Sequence, residues 1–509
     1  MLSILLGHSY FLRFDQKQLQ RAKPYPPLAT LQVASMLRQA GHEVSLFDAM
    51  LADGLDDYRR MLQAVQPQLL LLYEDNFNFL SKMCLGRMRR AACEMIGLAR
   101  RAGARVIAAG ADASDAPEPY LAAGADVVLI GEGLTTLESL LKKLDACLHT
   151  PPNTLVEGLG GAATLLEGKV GTVNGARILP AQRYGELPAW DLVDIGRYRS
   201  VWREAHGYFS LNMAASRGCS FRCAWCAKPI WGNQYLQRQP AAVAREMAHL
   251  KHSFHVDHVW FADDIFGFRV DWVSEFARLL AAQDAFIPFM IQTRADLMSE
   301  RMAAALRAAG CVEAWIGAES GSQRVLDAMN KGTTVEEIVA ARARLKRAGI
   351  RVGFFIQLGY LDEELSDIVA TRALLDEALP DDVGVSVSYP LPGTKFYDRV
   401  RAQLGPKTHW QESADLEMMF HGTYTSEFYR AIRDLLHDRV SLESFNTTAH
   451  AGEYRRGRGA LEQRWQNLLS SERHYRNGRR AAPASAAVRG LSPASTHGQP
   501  GRNAGPQAG

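Results

Sequence analysis

Cysteine is scarce in this chain, seven in 509 residues and an odd number, which is too few and too scattered for a disulfide-stapled secreted domain. Long apolar runs are missing too: nothing approaches the roughly 18 uncharged apolar residues of a membrane-spanning helix. The opening Met1-Leu-Ser-Ile-Leu-Leu-Gly7 has neither the basic n-region nor the length of a signal peptide and is expected to be a first strand. These absences place the protein in the cytoplasm, away from membranes, where thiols stay reduced. A strong excess of one charge is also lacking. Six arginines and no acidic residue follow Glu472, so the rest of the chain carries −3 against the +3 of the whole. A slightly acidic body without a basic stripe argues against nucleic acid as a partner and for a small-molecule substrate. The length allows two or three domains, and 47% hydrophobic with 22% charged residues is ordinary for a globular protein.

What cysteine there is crowds together. Three of the seven fall within eight residues, in Ser216-Arg-Gly-Cys219-Ser-Phe-Arg-Cys223-Ala-Trp-Cys226. Thiolates are soft ligands suited to iron–sulfur clusters, and a fully protein-ligated [4Fe–4S] site needs four of them. With three, one iron keeps an open position where a small molecule bearing an amine and a carboxylate can chelate. A structural zinc site prefers four closed N/S ligands, and no second cysteine pair or His-x3-His follows. Cys84, Cys93, Cys147 and Cys311 are scattered, and those on expected helices read as buried structural thiols.

Hydrophobic patterning divides the chain into an α/β N-terminal unit (1–147), a linker (148–207), a barrel (208–400), a helical C-terminal region (401–475) and a disordered tail (476–509) rich in Ala, Gly, Pro, Ser and Arg. In the first unit, apolar runs at Leu2–Leu6, Val44–Phe47, Leu69–Tyr73, Val106–Ala109 and Val127–Ile130 alternate with amphipathic stretches. This pattern predicts a parallel, doubly wound Rossmann-like sheet whose ligands sit beyond the strand carboxyl ends. The loop Gly7–Pro27 is about twenty residues long, unusual unless functional. The linker reads as turns and a hairpin. Six strand-like runs, each with a helix-like stretch behind it, begin at Leu211, His258, Phe289, Cys311, Arg351 and Val383; they predict a partial (β/α)6 barrel with its chemistry at the strand carboxyl ends. In the C-terminal region His409, Trp410, Met418, Met419 and Phe420 read as core more readily than as pocket.

The spacing Cys219-x3-Cys223-x2-Cys226, with Trp225 before the last cysteine, resembles the signature of radical S-adenosylmethionine (SAM) enzymes. The resemblance implies a [4Fe–4S] cluster whose open iron binds SAM through its amine and carboxylate, with one electron cleaving SAM to a 5′-deoxyadenosyl radical. It implies further sites in order along the barrel: Asp263 or Asp264 for the SAM amine, Arg294 after strand three, Glu319 and Ser320 for the ribose and methionyl part, Ile356 and Gly359 beside adenine, and Pro392 after strand six. The first unit resembles the cobalamin-binding domain that precedes this barrel in many enzymes, through Pro26-Pro27-Leu28, Ala109-Gly110 and Ala125-Asp-Val-Val-Leu-Ile-Gly131-Glu132-Gly133. In relatives the turns at Gly110 and Gly131–Gly133 let the corrin lie flat. The Asp-x-His-x-x-Gly signature is missing and His8 lacks its companions, so cobalamin is expected without a histidine lower ligand. The implied activity is methylation of an unactivated carbon of a small molecule, with electrons from a donor such as flavodoxin or ferredoxin. Oxidative cyclisation, a barrel that has lost cobalamin, and a non-catalytic iron–sulfur sensor stay open.

Overall fold

Strands in this chain form where short apolar runs are covered on both sides. In the computed structural model, which describes residues 1–78, 86–173, 187–404, 416–443, 446 and 450–477, two sheets result. The first contains β1 (Ser3–Gly7), β2 (Glu43–Phe47), β3 (Leu69–Tyr73), β4 (Arg105–Ala109) and β5 (Val127–Leu129), parallel in the order β2-β1-β3-β4-β5. Every side chain of β3 is buried, as the centre of a sheet sandwiched by helices requires. Those helices include Leu28–Gln39 and Gly86–Arg101.

Two features depart from the sequence expectation. The sheet is not wholly parallel: β6 (Ala162–Leu166) and β7 (Lys169–Val173), inside the expected linker, add an antiparallel hairpin beside β5. Glu167 and Gly168 between them both have positive φ, the primed two-residue turn that matches strand twist. The long loop after β1 also holds a short helix, Gln16–Arg21, capped by Asp15 accepting from the Gln18 amide at 3.1 Å.

The second sheet has six parallel strands in sequential order: β8 (Ser210–Met213), β11 (His258–Phe261), β12 (Phe289–Thr293), β13 (Cys311–Glu319), β14 (Arg351–Leu358) and β15 (Asp382–Val387). The β/α repeat is written into the helix starts. Pro240 opens one helix, Ser299 caps another, and Thr334 with Glu337 forms a capping box on a third. Two-residue β9 (Ser216–Arg217) and β10 (Leu236–Gln237) pair across the base of the cysteine loop. Helix Ser426–Glu443 packs along the outer strand β15, with Ala451–Ser470 against that helix, so the C-terminal region covers a sheet edge. Met418 and Phe420 are buried in this packing. His409, Trp410, Cys84 and residues 478–509 lie outside the described residues.

Residues 187–206 join the two units rather than spacing them apart. Helix Ile195–His206 sends Tyr198 to Asp48 at 2.6 Å, and its Trp202 indole donates to the Pro24 carbonyl at 2.7 Å. Tyr25 lies against Trp202 and Trp260, with ring centroids 5.2 and 4.9 Å away, and shares a hydrogen bond with Ser210 at 3.1 Å. Among the described residues no helix is long and apolar enough to cross a membrane.

Candidate functional site

The cysteine loop leaves β9 at Gly218, whose φ of +75° and nearby backbone explain the residue: a Cβ there would meet the Gln234 carbonyl oxygen at 2.3 Å. Lys228 then folds back to donate to the carbonyls of Cys219 (2.8 Å) and Phe221 and to Asn233. The Ala224 amide donates to Met329 at 2.8 Å, and Ala224 accepts from the Phe396 amide at 3.0 Å. Cys219, Cys223 and Cys226 are all half-buried and unbridged, and lie near enough to one another that the neighbouring cysteines help raise the thiol pKa of Cys219 and Cys226. Burial, reinforced by the charge of Asp264, pushes Cys226 up to about 12, and burial pushes Cys219 up as well. Such burial favours the neutral thiols of Cys219 and Cys226 until metal binding displaces their protons. Among the described residues no three His, Cys, Asp or Glu side chains converge on one point as a single metal ion demands. A cubane, in which each thiolate takes its own iron, makes no such demand.

The acidic pair divides. Asp263 is buried and accepts from Ser216 Oγ and from the Ala215 amide (3.0 Å), tying β11 to the base of the cysteine loop; burial raises its pKa to about 7 against those bonds. Asp264 is exposed and lines a small cavity with Gly218, Lys228 and Trp231. Trp225 keeps its indole N–H buried with no partner among the described residues.

Elsewhere along the barrel the structure places the expected residues as follows. Arg294 is drawn to the cysteine loop, over Phe221 and 3.8 Å from Cys223 Sγ. Glu319, held at φ +64°, pairs with Lys331 at 2.8 Å, both side chains 6% exposed. Ser320 turns to Thr371 on the outer helix Leu365–Ala378. Ile356 is buried in β14, and Gly359 just beyond it is roofed by Met418 and Tyr429. Pro392 sits exposed in the loop after β15.

At the carboxyl edge of the first sheet, the Gly131 amide donates to Ser114 Oγ (3.0 Å), which in turn donates to the Gly110 carbonyl (2.7 Å), linking two of the expected turns. Gly133, with φ +69°, starts helix Leu134–Ala146. Asn76 Oδ1, after β3, is buried without a partner among the described residues. His8 is buried, its Nε2 held between Asp48 (3.0 Å) and the Ala49 amide (3.1 Å); burial lowers its pKa, but Asp48, Glu74 and Asp75 outweigh that and raise it. Cys147 corrects the buried-thiol expectation: it is exposed, because it falls at the helix end where the apolar stripe stops.

Glu132 was missed as a structural residue. It is buried, paired with Arg217, and accepts from the Trp231 indole at 3.1 Å; its amide donates to the Ile230 carbonyl at 3.1 Å, and its own carbonyl accepts from Tyr73 at 2.9 Å. Phe77 packs on Trp231 with ring centroids 5.2 Å apart. Loops of the first sheet thus grip both flanks of the cysteine loop, a contact that no local sequence pattern announces.

Comparisons agree with this layout. Residues 213–375 match the Radical SAM superfamily model and residues 19–141 the B12 binding domain model. An uncharacterized methyltransferase of Pyrococcus horikoshii is 22% identical over 73% of this chain and 78% of its own. The anaerobic magnesium-protoporphyrin IX monomethyl ester cyclase of Rubrivivax gelatinosus is 25% identical over 54% of this chain and 49% of its own. In fold, the chain is similar to the radical S-adenosylmethionine methyltransferase TsrM from Kitasatospora setae, solved with cobalamin and a [4Fe-4S] cluster, with a TM-score of 0.64, 19% identity, and coverage of 78% of this chain and 77% of that one.

Proposed function

Since the chain belongs to the radical SAM superfamily and carries a B12 binding domain ahead of its barrel, we propose that it is a cobalamin-dependent methyltransferase acting on an unactivated carbon of a small molecule. One observation carries the reading: the loop after β5 of the B12 binding domain is bonded directly to the segments on either side of the three cysteines. A cofactor lying on the first sheet and one held by the cysteine loop would then face each other across a fixed gap. The cluster, when bound, supplies the electron that splits SAM, and cobalamin the methyl group.

The chain's own residues position and exclude. Cys219, Cys223 and Cys226 would hold the cluster, and Lys228 keeps their loop folded by capping its carbonyls. Asp264, which lines the small cavity with Gly218 and Lys228, would accept from the SAM amine, while Asp263 stiffens the floor beneath. The unpartnered Asn76 oxygen at the carboxyl edge of the first sheet suits an amide N–H of the corrin periphery. With His8 Nε2 held by Asp48 and Ala49, cobalamin binding without a histidine ligand is the mode proposed. The slightly acidic body favours a small-molecule substrate, and an external one-electron donor such as flavodoxin or ferredoxin is required.

Anaerobic reconstitution with iron, sulfide and cobalamin, followed by SAM and dithionite, tests the reading. Wild-type protein should release 5′-deoxyadenosine, and Cys223→Ala should release none while its circular dichroism and melting temperature stay unchanged, because the cysteine lies in a half-buried loop. A wild-type protein that forms no 5′-deoxyadenosine would sink the proposal. The similarity to the cyclase over half the chain favours oxidative ring closure as a second reading; product mass separates the two, a methylated product gaining about 14 Da and a cyclised one gaining no carbon.

A further inference from the structure

We propose that Arg294 tunes the reduction potential of the cluster through Cys223, rather than binding SAM. The inference rests on the functional reading above, since it presumes a [4Fe–4S] cluster on the three cysteines.

The guanidinium is fixed on nearly every side. Its Nε donates to Asp296 Oδ1 at 2.9 Å, and Nη2 reaches Asp296 Oδ2 (3.0 Å), the Lys331 carbonyl (2.7 Å) and Thr333 Oγ1 (2.9 Å). Its plane lies over Phe221, 3.7 Å from the ring centroid, and Phe221 stands between Cys219 and Cys223 in the loop. Nη1 points to Cys223, 3.8 Å from Sγ. The side chain is 7% exposed, and arginine keeps its charge at any accessible pH.

The charge therefore stays on and stays put. Nearby Lys331 is neutralised by Glu319, whereas the partner of Arg294, Asp296, is 22% exposed and partly screened by solvent. Reducing the cluster adds one negative charge. A buried cation donating to a ligating sulfur stabilises the reduced form more than the oxidised one and so raises the potential. Arg294 is thus a positioning residue that acts through Cys223.

The test uses full-length protein reconstituted anaerobically, with iron and sulfide quantified and the midpoint read by electron paramagnetic resonance during reductive titration without SAM. Arg294→Gln should shift the midpoint downward, Arg294→Lys less so, and Asp296→Asn, which removes a negative charge, upward. A merely structural arginine would instead lower cluster content while leaving the midpoint of the assembled clusters where it was. An Arg294→Gln cluster with the wild-type midpoint, or a downward shift in Asp296→Asn, overturns the inference; should Arg294→Gln fail to assemble a cluster, the sign of the Asp296→Asn shift decides. A wild-type protein that assembles no cubane overturns the functional reading and takes this inference with it, whereas an unmoved midpoint overturns the inference alone.

Discussion

Glu363 is fully buried in the turn between β14 and helix Leu365–Ala378, with Oε2 accepting from the Gly359 amide at 2.6 Å and Oε1 unpartnered among the described residues. Burial raises its pKa from 4.5 to about 8, so its neutral form is favoured through the lower part of the physiological range. A group raised in the folded state stabilises fully below its unfolded pKa, and that contribution is lost as pH climbs through the folded value. Wild-type stability should therefore erode between about pH 4.5 and 8 on this account. Glu363→Gln, which cannot ionise, should gain on wild type across that window by roughly 2–4 kcal/mol. Thermal melts at pH 5.5 and 8.5 check it: an equal offset at both pH values would mean the carboxyl does not titrate there. The cysteines stand at the other extreme of legibility. Their chemistry is local and their spacing alone singles them out as candidates, whereas Asp263 and Asp264 are adjacent in sequence and only the structure separates the floor residue from the one at the cavity.

At the scale of elements, the junction of β5 with helix Leu134–Ala146 depends on Gly133. Its φ is +69°, and a Cβ there would sit 2.6 Å from Leu129 Cβ. Gly133→Ala should cost about 1–3 kcal/mol, read as a lowered melting temperature with unchanged secondary structure content; a melt identical to wild type would show that the turn relaxes freely. The strands were the readable part of this chain. Leu69–Tyr73, Phe289–Thr293 and Arg351–Leu358 begin and end where their apolar runs do. The hairpin Ala162–Val173 was legible as a hairpin within the linker, but nothing local announced that it would extend the first sheet beside β5. Helix Gln16–Arg21, which buries no side chain, left no apolar stripe to find.

Across the whole molecule, the contact of Glu132 with Arg217 and Trp231 is one place, among the described residues, where the two units share a buried charge. Arg217 is 3% exposed. Glu132→Ala would remove its buried carboxylate partner, and breaking a buried pair from one side costs up to about 3–5 kcal/mol. The expected result is a calorimetric transition that splits, with the B12 binding domain and the barrel melting apart, while Glu132→Gln retains more of the coupling because it can still accept from the indole. A single sharp transition in Glu132→Ala at the wild-type temperature would show that the units are fastened elsewhere. None of this was legible beforehand, since the residues that meet are far apart in the chain and each looks ordinary in its own neighbourhood.

That fastening also bears on inheritance. Because half of it belongs to the segments flanking the cysteines, a recombination event that exchanged only residues 1–147 would deliver a new first domain to a barrel still presenting an arginine and a tryptophan shaped for Glu132. Chimeras that carry the matching acid at that turn should melt more nearly as one body than those without it. The heritable module is accordingly longer than either domain.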